Sequence, residues 1–183
     1  SCEERILVWS LTSFSLVKQL TGHKNAVRQI CLSKDGSLLF SGGPELHLFM
    51  WDMKTLSFIC TLPSNATNFL FTSPTGTQIF AGSVSGEVDI REISSFTTTK
   101  QSYYLPLPIT CACITTDGAR LYAGIASKAI IAVDTASGAL LPISLQGHTD
   151  EIRSICTTPD GLCLISGSRD MLIKIWDLSS FTL

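Results

Sequence analysis

Charge is scarce in this chain. Asp, Glu, Lys and Arg make up 15% of its 183 residues, too little for a charge-rich disordered segment. The net charge of −2 gives no general attraction for nucleic acid, though it leaves room for a local basic patch. Long apolar runs are missing too. A membrane helix needs roughly 20 consecutive apolar residues, whereas Ala129-Ile130-Ile131-Ala132-Val133 is strand-length and stops at Asp134. No secretory signal opens the chain. Its start at Ser1-Cys2-Glu3, without Met, reads as a piece of a longer or processed protein.

Catalytic and metal signatures are equally absent. The three histidines and seven cysteines show neither Cys-x-x-Cys nor His-x-x-x-His spacing, so no zinc site is expected. There is no Gly-x-Ser-x-Gly elbow and no glycine-rich phosphate loop, so no enzyme and no cofactor are expected. The cysteines are Cys2, Cys31, Cys60, Cys111, Cys113, Cys156 and Cys163. An odd number in a chain of this size points to reduced, intracellular thiols rather than a disulfide framework.

What the chain does have is 45% hydrophobic residues, and a repeat. Gly22-His23 leads to Asp35-Gly36 and then Trp51-Asp52; Gly147-His148 leads to Asp160-Gly161 and then Trp176-Asp177. His to Asp is 12 residues in both, and Asp to Trp is 16. Pro74-Thr75-Gly76 and Thr116-Asp117-Gly118 hold the same turn between them. From turn to turn the steps are 40, 42 and 43 residues, and Trp9 precedes Trp51 by 42. Short apolar runs such as Leu38-Leu39-Phe40 and Leu46-His47-Leu48-Phe49-Met50 alternate with Gly, Ser, Asp and Pro. Strand-length runs with turn signals every 8–12 residues, and no sustained helical period, indicate an all-β chain.

These motifs, in one order and at matched spacing, make the chain resemble the WD40 repeat family over essentially its whole length. The step length fits one four-stranded blade of 40–45 residues. The resemblance implies an all-β, WD40-type β-propeller of about four and a half blades. Residues 1–20 form a partial blade, 21–62 a blade with Gly-His and Trp-Asp, 63–104 and 105–146 two degenerate blades, and 147–183 a blade with an incomplete outer strand. The resemblance further implies a hydrogen-bond network inside each well-formed blade, through Trp51, Ser41, His23 and Glu45 in the first, and Trp176, Ser166, His148 and Asp170 in the fourth. Glu45 stands where Asp is usual, and its extra methylene is expected to weaken the link. The degenerate blades offer Pro63, Ala81, Ser85 and Arg91, and Leu105, Ala123, Ser127 and Val133, so apolar packing is expected to hold both, with less rigidity. His23 and His148 are thereby structural. Cys31, Cys113 and Cys156 share one repeat position, and Cys111 lies two residues from Cys113 on the same strand face. Packing, not a soft-metal clip, is their expected role.

By the same resemblance, Arg28, Asn68, Thr110 and Arg153, each seven residues before its turn residue, face the top of the central channel. Two arginines among four places favour a carboxylate- or phosphate-bearing partner. The chain is expected to be a non-catalytic protein–protein interaction scaffold of an intracellular complex, cytoplasmic or nuclear. Two alternatives are a regulatory sensor segment of a larger signalling NTPase or kinase, and a ribosome-biogenesis or RNA-associated assembly factor. Mild acidity weighs against direct nucleic-acid binding, and nothing suggests membrane. A seven-bladed ring would need about 290 residues at this repeat length, so the remaining blades are expected from the parent chain, on both sides.

Overall fold

The computed structural model describes residues 4–45, 47–64, 68–95, 102–105 and 107–182. Cys2 and the outermost positions 1 and 183 lie outside these. The described residues form 17 strands and no helix, so none is long and apolar enough to cross a membrane.

The strands fall into five antiparallel sheets in chain order. An opening hairpin pairs β1 (Arg5–Trp9) with β2 (Leu16–Thr21). The first blade is β3 (Gln29–Leu32), β4 (Leu38–Gly42), β5 (His47–Asp52) and β6 (Ser57–Pro63). The second is β7 (Phe69–Thr72), β8 (Gln78–Gly82), β9 (Glu87–Glu92) and β10 (Tyr103–Tyr104). The third is β11 (Ile109–Ile114), β12 (Arg120–Ile125), β13 (Ile130–Asp134) and β14 (Leu140–Leu145). The fourth has three strands, β15 (Ile152–Thr157), β16 (Cys163–Ser168) and β17 (Ile173–Asp177), with one further bridge from Asp177 to Thr182. The sheets do not close on one another.

The repeated Asp-Gly turn makes each inner hairpin. Asp35 accepts hydrogen bonds from the Ser33 hydroxyl at 2.5 Å and the Ser37 amide at 3.1 Å. Gly36, at φ +70°, supplies the left-handed step, and its amide donates to Ser33. Asp117 and Asp160 repeat the arrangement. In the second blade Thr75 replaces the Asp, and its hydroxyl bridges Ser73 and Thr77.

Strand side chains alternate between faces, and the cores lie between consecutive blades. Leu48 and Met50 of β5 pack with Leu70 and Ile79 of the second blade. Val88 and Ile90 of β9 pack with Ile109 and Leu121 of the third. Ile130 and Ala132 of β13 pack with Ile155, Leu164 and Trp176 of the fourth. Ile6 and Leu20 of the opening hairpin cover Leu39 and Trp51. Each fully buried aliphatic stabilises the stack by about 1.5–3 kcal/mol.

The cysteines follow this geometry. Cys31 and Cys113 pack into the interface with the next blade, and burial pushes both thiols up to about 12. Cys111 joins the same interface as Cys113, its thiol raised to about 11, chiefly by burial. Cys156 holds the same repeat position but is exposed, because no described blade follows it.

The second blade departs from the expectation of apolar packing alone. Arg91, at the position of Trp51, donates through Nε to Asp89 at 2.8 Å, and a terminal nitrogen donates to the Pro63 carbonyl. The Ser102 hydroxyl donates to the other Asp89 oxygen at 3.3 Å. An ion pair thus replaces the missing Trp–Ser–His chain, reaching the residue at the histidine position. The third blade does rely on packing: Leu105, Ala123 and Val133 are all buried in one cluster.

Candidate functional site

Two constellations stand out, one inside the blades and one at their inner rim. In the first blade the Trp51 indole donates to Ser41 Oγ at 2.8 Å. Ser41 Oγ lies 2.7 Å from His23 Nε2, and His23 Nδ1 lies 3.1 Å from Glu45 Oε2. The fourth blade repeats this with Trp176, Ser166, His148 and Asp170 at 2.8, 2.7 and 2.7 Å. One proton arrangement satisfies every atom: indole to hydroxyl, hydroxyl to Nε2, Nδ1–H to carboxylate. It requires a neutral imidazole. Burial lowers the pKa of His23 and outweighs the opposing pull of Glu45, in keeping with that state.

The carboxylates also tie down the loops that carry the histidines. Glu45 Oε1 accepts from the Lys24 amide and, at 2.7 Å, from the Asn25 amide. Asp170 accepts from the Thr149 and Leu172 amides, both at 3.0 Å. Burial would raise the Asp170 pKa, but these amides and His148 together hold it at about 2. The longer Glu45 still reaches His23, with a looser contact than Asp170 makes. Both serines and both histidines are buried, and the bonds tie the Trp strand of each blade to its inner strand and its histidine loop.

The inner rim is built on a repeated irregularity. Thr110 and Arg153 are skipped where β11 pairs with β12 and β15 with β16. The amides of Arg28 and Asn68 donate to Gly42 and Gly82, the same residues that pair with Gln29 and Phe69. A bulge inserts one residue and re-aims its side chain. It recurs opposite Gly42, Gly82, Gly124 and Gly167. At Gly82 the requirement is steric, since a Cβ there would lie 1.9 Å from the Phe69 ring.

All four bulge residues line one cleft of about 800 Å³ along the innermost strands. Their roles differ. Asn68 Nδ2 donates to the Ile109 carbonyl at 2.6 Å, joining the second blade to the third. The Thr110 hydroxyl donates to the Gly124 carbonyl at 3.1 Å. Their polar groups therefore hold the rim together. Arg153 is half exposed and 3.3 Å from Glu151, which also meets Arg169 at 3.3 Å, so two guanidinium groups share one carboxylate. Arg28 has no ion pair among the described residues. The sequence pattern places these four together but misses Glu151 and Arg169, whose pairing depends on a backbone bond from Arg169 to Glu151. Among the described residues no cluster of His, Cys, Asp and Glu could hold a metal ion.

Radially stacked four-stranded antiparallel sheets, with an inner-rim cleft and a buried Trp–Ser–His–carboxylate chain, define a β-propeller. The family model described as "WD domain, G-beta repeat" matches residues 14–52 and 141–177, so these two stretches are WD40 repeats. The chain is 25% identical over 97% of its length to WD repeat-containing protein SL1-17 of Schistosoma mansoni, covering 60% of that protein. It is 23% identical over 92% of its length to apoptotic protease-activating factor 1 of Danio rerio, covering 13% of it. It is 27% identical over 89% of its length to nuclear distribution protein nudF 2 of Penicillium rubens, covering 30% of it. The chain thus spans less than two thirds of each. WD40 repeat domains are generally non-catalytic and serve protein interaction.

Proposed function

We propose that this chain is one arc of a non-catalytic scaffold in an intracellular complex, with the remaining blades supplied by the parent chain. It offers the inner-rim cleft to protein or peptide partners that carry carboxylate or phosphate groups. The observation that carries this reading is the raising of Arg28 and Arg153, by equivalent bulges, into one cleft in which the side chains of Asn68 and Thr110 are already engaged with backbone carbonyls. Guanidinium groups suit such partners because they bind carboxylate and phosphate in a fork. Glu151, shared between Arg153 and Arg169, leaves that cluster with net positive charge. No group in the cleft is arranged as nucleophile and base.

The test is a capture experiment with the full-length polypeptide. Stoichiometric protein partners are expected, and Arg28→Glu with Arg153→Glu should weaken their binding tenfold or more while leaving the melting profile unchanged. Undiminished capture by the double variant would remove the cleft from the account. Recovery of RNA alone, with steep salt dependence, would replace the protein partner.

A further inference from the structure

The inner-rim cleft holds an anion of its own at one end. Glu151 and Arg153 both line it, and Glu151 meets two guanidinium groups. Its Oε1 lies 3.3 Å from Arg153 Nη1, and its Oε2 lies 3.3 Å from Arg169 Nη1. Each is one long contact, so neither guanidinium makes the two-bond fork it is shaped for. The arginine side chains are 53% and 56% exposed, and Glu151 is 30% exposed. Ion pairs this open to water hold weakly.

The corner that carries Glu151 forms elsewhere without its side chain. The Arg169 amide donates to the Glu151 carbonyl at 2.9 Å. At the same places in the third blade the Ala126 amide donates to the Pro108 carbonyl at 3.1 Å, with no charge on either residue. The Ser168 hydroxyl adds a bond to the Asp150 carbonyl at 3.0 Å. Backbone bonds thus hold Glu151 and Arg169 in place whatever the carboxylate does. In the first blade Ala26 and Pro44 stand at the places of Glu151 and Arg169, so Arg28 has no carboxylate at the equivalent place. The cleft therefore carries one open guanidinium, and two that share a carboxylate the corner does not need.

We infer that Glu151 is an internal stand-in for the partner's anion, occupying Arg153 and Arg169 until a phosphate monoester on a partner protein displaces it. A partner carboxylate, or the singly charged phosphodiester of a nucleic acid, replaces Glu151 like for like. It does so at a disadvantage, because Glu151 is tethered beside the site at high effective concentration. A phosphate monoester carries about −1.5 to −2 charge at neutral pH and three strong acceptor oxygens. That is enough to bond both guanidinium forks at once. Glu151 sets a threshold that the doubly charged group passes and the singly charged ones do not. The inference rests on the proposed reading of the cleft as a site for anionic partners, and adds the residue that selects among them.

Phenyl phosphate and benzoate share a ring and differ in the anion. Both can be titrated against the full-length polypeptide by ligand-observed NMR at pH 7.5, where the monoester is mostly doubly charged. Phenyl phosphate should bind at least tenfold more tightly than benzoate. Glu151→Gln, or Glu151→Ala should that variant fail to fold, should tighten both by about three- to tenfold, since both displace the same weakly held carboxylate. Arg153→Glu with Arg169→Glu should lose phenyl phosphate. Affinities that stay the same or fall in Glu151→Gln, with phenyl phosphate still lost in the double variant, overturn the internal anion and leave the cleft standing as an anion site. Equal affinity of the two probes for the unaltered chain overturns the choice of a phosphate monoester. Binding of neither probe, with or without Glu151, overturns the reading of the cleft and this inference with it.

Discussion

Ser41 and Ser166 each serve two buried partners, an indole donor and an imidazole acceptor. Replacing either by Ala leaves both partners unsatisfied, so Ser41→Ala and Ser166→Ala should each cost about 1–3 kcal/mol, read by chemical denaturation. His23 and Asp170 give a pH signature with separate windows. Burial keeps the folded pKa of His23 below its ordinary 6.5, so the unfolded chain takes up that proton first. Stability from His23 is therefore present above pH 6.5 and declines as pH falls from there through the folded value. Asp170 has its pKa lowered from 3.8 to about 2. Its contribution is present above pH 3.8 and is lost as pH falls towards 2. Thermal melts should show a Tm that decreases below pH 6.5, with a shallower decrease in His23→Asn; a Tm flat from pH 7 to pH 5 would contradict this assignment.

At the scale of strands and turns, the second blade holds the sharpest test. Asp89 and Arg91 stand where the third blade has Ile131 and Val133. Both charged side chains are 12% exposed. Arg91→Val alone strands a nearly buried carboxylate and should cost about 3 kcal/mol, whereas Asp89→Ile with Arg91→Val should come close to neutral. A double variant as unstable as the single one would show that the ion pair has no apolar equivalent here. The bulge glycines give a second contrast. Gly82→Ala drives a Cβ into the Phe69 ring and should cost 1–3 kcal/mol or more, roughly. Gly167→Ala meets nothing within 4 Å and should be tolerated. The sequence made the two Trp–Ser–His chains legible because residue type and spacing both repeat. It hid the Asp89–Arg91 pair because those residues match nothing in the repeat, and their meeting depends on strand register. The bulges were legible only as positions, since a skipped pairing leaves no mark on composition.

Over the whole molecule, the fold was readable because each blade repeats one interface. That same regularity explains which surfaces are left over. Ile173 and Ile175 occupy the places of Leu48 and Met50, of Val88 and Ile90, and of Ile130 and Ala132. Those six are buried, while Ile173 and Ile175 are 77% and 57% exposed. Large contiguous apolar surfaces and open strand edges favour association. The most direct test of the account is sedimentation velocity of residues 1–183 across a hundredfold range of concentration, with and without Ile173→Ser and Ile175→Ser. Association that rises with concentration and falls in the double variant, without loss of folded signal, is the predicted result. A monodisperse monomer at every concentration, melting as one cooperative unit and unchanged by the two serines, would contradict the reading of these faces as places for further blades.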